Sequence, residues 1–200
     1  FVLAAPNRYE AVLAEAICTH FPSIELVRFC NSGTEANLLA LALSRAVTGR
    51  DAMLVFAGAY HGGILLFAHG TSPLNPPFTW VVGEYSNAAE ATRLIEEHGH
   101  ELAAVIVEPL QGAAGVIPGD PVFLRTLREA TAAHDLLLVF DEVMTARLSP
   151  GGMQQLLGIE PDLTTLAKFV GGGLAFGAFG GRTELMRRFE SNGRVALTNK

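Results

Sequence analysis

The sequence predicts an α/β fold, a mostly parallel sheet between helices, and three observations carry that reading. The chain has 200 residues, 50% hydrophobic and 17% charged, which is enough apolar matter for a proper core. Short runs such as "AMLVFA", "LAAVIVEP" and "LLLVFDE" are almost continuously apolar, the pattern of strands covered on both faces. Stretches of helical periodicity separate those runs, and such an alternation implies right-handed βαβ crossovers.

Each element can be justified in turn. Residues 8–19 read as a helix, "LVRFC" as a strand, and 34–47 as a helix closed by Gly49. "AMLVFA" is the next strand; the loop-like "YHGG" and "TSPLNPP" then lead to a short run "WVV" and a helix over 88–98. The strand "LAAVIVEP", a helix opened by Pro121 and the strand "LLLVFDE" follow. A Gly/Pro loop at 149–152 precedes the strand "LTTLA" and the glycine-rich "GGGLAFGAFGG". No repeat, low-complexity segment or internal linker divides the chain, so residues 1–200 read as a single domain. It opens on Phe1 rather than Met, as a piece of a longer protein would.

Charge and composition narrow the function. The formal net charge is -6 with no basic run, which argues against nucleic acid or an anionic membrane as partner. No apolar run approaches the roughly 20 residues of a membrane span, and the first ten residues lack a signal peptide's basic start and long apolar core. Cys18 and Cys30 have no metal-binding spacing and read as reduced thiols of a cytoplasmic protein. The six histidines form no HxxxH pair and no GxSxG is present, against a zinc or serine hydrolase.

Open α/β sheets bind ligands beyond the carboxyl ends of their strands. Four polar signals fall there: "NSGTE", Glu108, Asp141 and Lys168. Ser32 followed by Glu35 is a capping-box pattern; Ser32, Gly33 and Thr34 also put hydroxyls and backbone N–H groups at a helix N-terminus, where a phosphate is stabilised. Asp141 ends an intensely apolar strand and needs a partner there: a helix cap, an ion pair with Arg147, or a cationic ring nitrogen. Val143, two residues on, points to the same face of an extended chain. Tyr60 and His61, flanked by glycines, are either loop anchors or, for the tyrosine ring, a stacking platform.

Lys168 stands in an apolar run, and the only other lysine is Lys200. A lysine desolvated at the sheet edge becomes a nucleophilic amine that can form a Schiff base with a carbonyl. Beside a phosphate cradle, a carboxylate for a pyridinium nitrogen and a stacking ring, that carbonyl is most simply the aldehyde of pyridoxal 5'-phosphate.

"NSGTEANLLALALSRAVTGR", "FAGAYHGG", "VIVEPLQGAAG", "LLLVFDEVMTAR" and "PDLTTLAKFVGGGLAFGAFGG" together resemble the cofactor-binding core of the class-III pyridoxal-phosphate aminotransferases. The likeness covers roughly residues 20–190, on the side of the family that includes glutamate-1-semialdehyde aminomutase and the β-amino-acid aminotransferases. It implies the fold-type-I large domain without its N-terminal segment and C-terminal small domain. It also implies a homodimer with active sites at the subunit interface. The resemblance makes Lys168 the Schiff-base lysine and Asp141 the partner of the pyridinium nitrogen. Val143 and Tyr60 would lie against the two faces of the ring, Ser32, Gly33 and Thr34 would hold the phosphate, Glu108 would be a pocket carboxylate, and His61 would lie adjacent. The sequence departs from the family in three places. Met144 stands where many relatives have Gln, "TAR" stands for "TGFR", and "RVALTNK" does not match a downstream Gly-Thr phosphate motif.

The implied reaction moves an amino group from an amino acid, β-amino acids included, to a keto acid. Two alternatives stay open: an intramolecular aminomutase, which needs no second substrate, and a fragment that binds cofactor without completing catalysis.

Overall fold

The computed structural model describes residues 8–189. Its first half runs α1 (Arg8–His20), β1 (Leu26–Cys30), α2 (Gly33–Thr48), β2 (Ala52–Phe56), β3 (Thr79–Gly83), α3 (Ala88–His98) and β4 (Leu102–Val107). A small ladder of β5 (Leu110–Gln111) and β6 (Ile117–Pro118) follows, then α4 (Pro121–Ala133), β7 (Leu137–Asp141), α5 (Gly152–Leu157), β8 (Leu163–Ala167) and β9 (Gly177–Gly181). The main sheet has seven strands in the order β1-β9-β8-β7-β4-β2-β3. Neighbours from β8 to β3 pair in parallel, while β9 runs antiparallel to both β1 and β8.

Both faces of the sheet are covered because side chains alternate across it. Met53 and Val55 of β2 pack with Ala36, Ala40 and Leu43 of α2. Leu54 and Phe56, one residue out of phase, pack with Leu94 and Ile95 of α3 and with Phe123 and Leu127 of α4. Local chemistry sets the helix ends. Gly49 closes α2 at φ 71°, Asn87 accepts from the Glu90 N–H, and Asp120 accepts from Val122 and Phe123 ahead of Pro121.

Two elements depart from the sequence expectation. The Gly/Pro loop runs directly into α5, and "GGGLAFGAFGG" contains a full strand. Glycine content disguises that strand, yet close packing demands it: a Cβ on Gly177 would lie 2.2 Å from the Ser32 carbonyl oxygen, and one on Gly181 2.3 Å from that of Asp162. Cys18 and Cys30 are free thiols. No described helix is long and apolar enough to cross a membrane. The "RVALTNK" mismatch and Lys200 lie outside the described residues.

Candidate active site

Beyond the carboxyl ends of β7 and β8 lies a cavity of about 620 Å³. Ser32, Gly33 and Thr34 reach it from the start of α2, Tyr60 and His61 from the loop after β2, and Glu108 from the end of β4. Asp141 and Val143 enter after β7, and Lys168 after β8. Every residue assigned to the cofactor site from the sequence therefore lines one space.

The α2 end is built by capping. Ser32 Oγ accepts from the Glu35 N–H at 3.1 Å, but the Glu35 carboxylate reaches back to the Asn31 N–H, at 2.6 Å, one residue earlier than a capping box would have it. Ser32 thus serves as acceptor for the helix while its O–H proton can still donate into the cavity. Gly33 and Gly62 keep this end open. A Cβ on Gly33 would come 3.0 Å from Val143 Cγ2; one on Gly62, at φ 132°, would come 2.3 Å from Thr34 Oγ1.

Asp141 is 4% exposed and finds its partners away from Arg147. Its Oδ2 lies 2.8 Å from His61 Nδ1 and accepts from Asn37 Nδ2, also at 2.8 Å; Oδ1 accepts from the Val143 N–H at 3.1 Å. With Nδ1 turned to a carboxylate, the other ring nitrogen, His61 Nε2, faces away from it. It is the one buried side-chain N or O atom without a hydrogen-bond partner among the described residues. Glu108 Oε1 accepts from the Tyr60 N–H at 2.9 Å and Oε2 from the Gly112 N–H at 3.1 Å. Burial pushes its carboxyl above the ordinary range; the Asp141 charge adds to this, and His61 and the two backbone donors oppose it.

Lys168 requires a correction. It was expected to be desolvated, yet it is exposed at the mouth of the cavity, because the chain turns out of β8 there into a 3₁₀ turn, Lys168–Gly171. Its φ is 51°, a left-handed backbone in which an L-lysine is strained. Sequence reading also missed Asn37 and Thr165, which lie behind Asp141. Asn37 sits two residues after the "NSGTE" signal, in a helix otherwise read only for its apolar face.

The family model for class-III aminotransferases matches residues 2–198. The chain belongs to the class-III aminotransferase family. A solved β-phenylalanine aminotransferase from Variovorax paradoxus is 53% identical, with a TM-score of 0.92 over 94% of this chain and 44% of that one. The glutamate-1-semialdehyde 2,1-aminomutase of Pelotomaculum thermopropionicum is 45% identical over 96% of this chain and 48% of its own. A solved transaminase with pyridoxal phosphate bound is 31% identical, with a TM-score of 0.88 over 97% of this chain and 49% of that one. The chain spans about half the length of the curated relatives it matches. The fold is accordingly the mostly parallel α/β architecture of the pyridoxal-phosphate transaminases.

Proposed function

We propose that this chain carries the cofactor half of an aminotransferase site and moves an amino group from an amino acid, β-amino acids among them, to a keto acid. The observation that carries this reading is the convergence of the α2 N-terminus, the buried Asp141 carboxylate and Lys168 on one cavity. The residues present fit pyridoxal phosphate. The α2 end, kept open by Gly33 and Gly62, suits an anion, Asp141 is a fixed acceptor, and the unpartnered His61 Nε2 is a polar atom awaiting a partner.

When bound, pyridoxal phosphate supplies an aldehyde carbon for amine exchange and a protonated ring that draws electrons from the substrate. Ser32, Gly33 and Thr34 hold the phosphate. Asp141 would accept a hydrogen bond from the ring nitrogen and so keep it protonated, and Val143 and Tyr60 would bracket the ring. The Lys168 amine anchors the cofactor and, once displaced, carries a proton to and from the substrate carbon. Its exposure leaves that amine accessible to an incoming substrate. The whole protein works as a homodimer in this reading.

Borohydride reduction of the holoprotein followed by peptide mapping tests the assignment: the pyridoxyl label falls on Lys168, and a label on Lys200 would overturn it. Asp141→Asn in a family-length chain keeps the fold and loses on the order of 10²-fold or more in rate; near-normal transamination would make the carboxylate structural. Met144, standing where many relatives have Gln and 38% exposed on the cavity wall, favours a second reading, the intramolecular aminomutase. Turnover without any keto-acid acceptor would select it.

A further inference from the structure

Asn37 is 1% exposed and has no role in the reading above. It lies on α2, three residues past Thr34, roughly one helical turn from the phosphate cradle. Its amide makes three bonds to three different elements. Nδ2 donates to Asp141 Oδ2 and to the His61 carbonyl, both at 2.8 Å, and Oδ1 accepts from Thr165 Oγ at 2.7 Å. Thr165 is the sheet partner of Asp141 across β7 and β8. A flipped amide would turn its carbonyl oxygen onto the Asp141 carboxylate and the His61 carbonyl, so these contacts fix its orientation.

A carboxylate has about four acceptor positions over its two oxygens. Asn37 and His61 take both positions on Asp141 Oδ2, whereas Oδ1 receives the Val143 N–H and keeps one position open. We propose that Asn37 is a positioning residue for Asp141: it locks Oδ2, so that Oδ1 is the oxygen presented to the cofactor's ring nitrogen. This rests on the pyridoxal-phosphate reading above. Asparagine suits the task because it is neutral. An aspartate at 37 would set a second carboxylate against the first, and leucine would leave Oδ2 with His61 alone and Thr165 Oγ without this acceptor.

The test is a double-mutant cycle in a family-length holoenzyme, using Asn37→Ala, Asp141→Asn and the pair. Asn37→Ala lowers kcat roughly 10- to 100-fold with KM for the amino donor little changed, the scale of a lost hydrogen bond to a charged group. In the Asp141→Asn background the same change costs almost nothing, because the carboxylate it positions is already gone. A readout independent of turnover is cofactor affinity. Asn37→Ala weakens binding of pyridoxal phosphate but not of its deaza analogue, in which carbon replaces the ring nitrogen. Thr165→Val, which frees the Asn37 amide without touching Asp141, reproduces the pattern at smaller amplitude and serves if Asn37→Ala does not fold.

Equal losses in both backgrounds, or equal weakening of both cofactors, would overturn the proposal and make Asn37 a packing residue. A wild-type protein that binds no pyridoxal phosphate would overturn the functional reading itself. Normal cofactor binding with a label on Lys168 and an additive cycle would overturn only the role of Asn37.

Discussion

The parallel strands β2, β4 and β7 start around one cation and end around several acids. At the amino edge, Arg50 Nη1 lies 3.1–3.4 Å from the carbonyl oxygens of Gly99, Leu102, His134 and Asp135, gathering the loops that lead into all three strands. At the carboxyl edge, Glu108, Asp141 and Glu142 are buried carboxylates, His61 keeps a nitrogen without a partner, and Lys168 is held in a left-handed backbone. Asp135 at the amino edge also has positive φ, 54°, but aspartate tolerates that conformation far better than lysine. One edge satisfies its polar groups internally. The other keeps bonding capacity and strain in reserve, as sites that must bind something do.

Substitutions at the two edges should therefore separate activity from stability, and the largest effect is at the carboxyl edge. In a family-length protein, Lys168→Ala abolishes covalent cofactor attachment and costs at least the roughly 10²–10⁴-fold of lost proton transfer, with no drop in unfolding midpoint. A midpoint lowered by several degrees would erase the contrast. Arg50→Met does the reverse. It costs about 1–2 kcal/mol, since partly buried carbonyls lose a charged donor, while turnover per loaded site stays unchanged; calorimetry and steady-state kinetics on one preparation check both halves.

Smaller effects sharpen the comparison. If the Lys168 backbone is strained, Lys168→Gly is more stable than Lys168→Ala by about 1 kcal/mol, because glycine accepts φ 51° at no steric cost. Equal denaturation midpoints would show an unstrained turn. The smallest effect is on pH dependence. Burial raises the Glu108 carboxyl in the folded state, so the folded protein holds that proton at pH values where the unfolded chain has lost it. Its contribution to stability is complete below the ordinary carboxylate range near 4.5 and is lost as pH rises through the raised folded value. Glu108→Gln removes that downward slope; an identical pH-stability profile for the variant would refute the burial argument.

The sequence displayed the first kind of information more clearly than the second. The apolar runs of β2, β4 and β7 and the caps at Ser32, Gly49 and Pro121 are local signals, and the observed elements follow them closely. β9 escaped because its glycines answer to neighbouring backbone, at Ser32 and Asp162, that is distant in sequence. The site residues were legible as types at strand ends. What was not legible is pairing: Asp141 bonds residues 80 and 104 positions away rather than nearby Arg147. Glu142 likewise hid its work, accepting from Thr145, from the Met153 N–H and from both the backbone and side chain of Gln154, which caps α5 from a buried position. Burial of such acids depends on tertiary partners that no local pattern announces.

On the cofactor reading proposed above, α2 begins at the phosphate cradle and carries Asn37, the residue that positions Asp141, one turn later, so the helix acts as a gauge for the cofactor's length. A helix advances about 1.5 Å and turns about 100° per residue, so one residue inserted between Thr34 and Asn37 would swing the amide away from Asp141 while leaving the cradle in place. Ligands with the phosphate alone, or with a heteroaromatic nitrogen at another distance from it, would engage the cradle and miss Asp141. Length variation is cheaper in the β5–β6 hairpin, where Val116 in the connecting loop and Ile117 at the start of β6 are exposed. On that reading, selectivity among phosphorylated cofactors rests on one uninterrupted turn of helix.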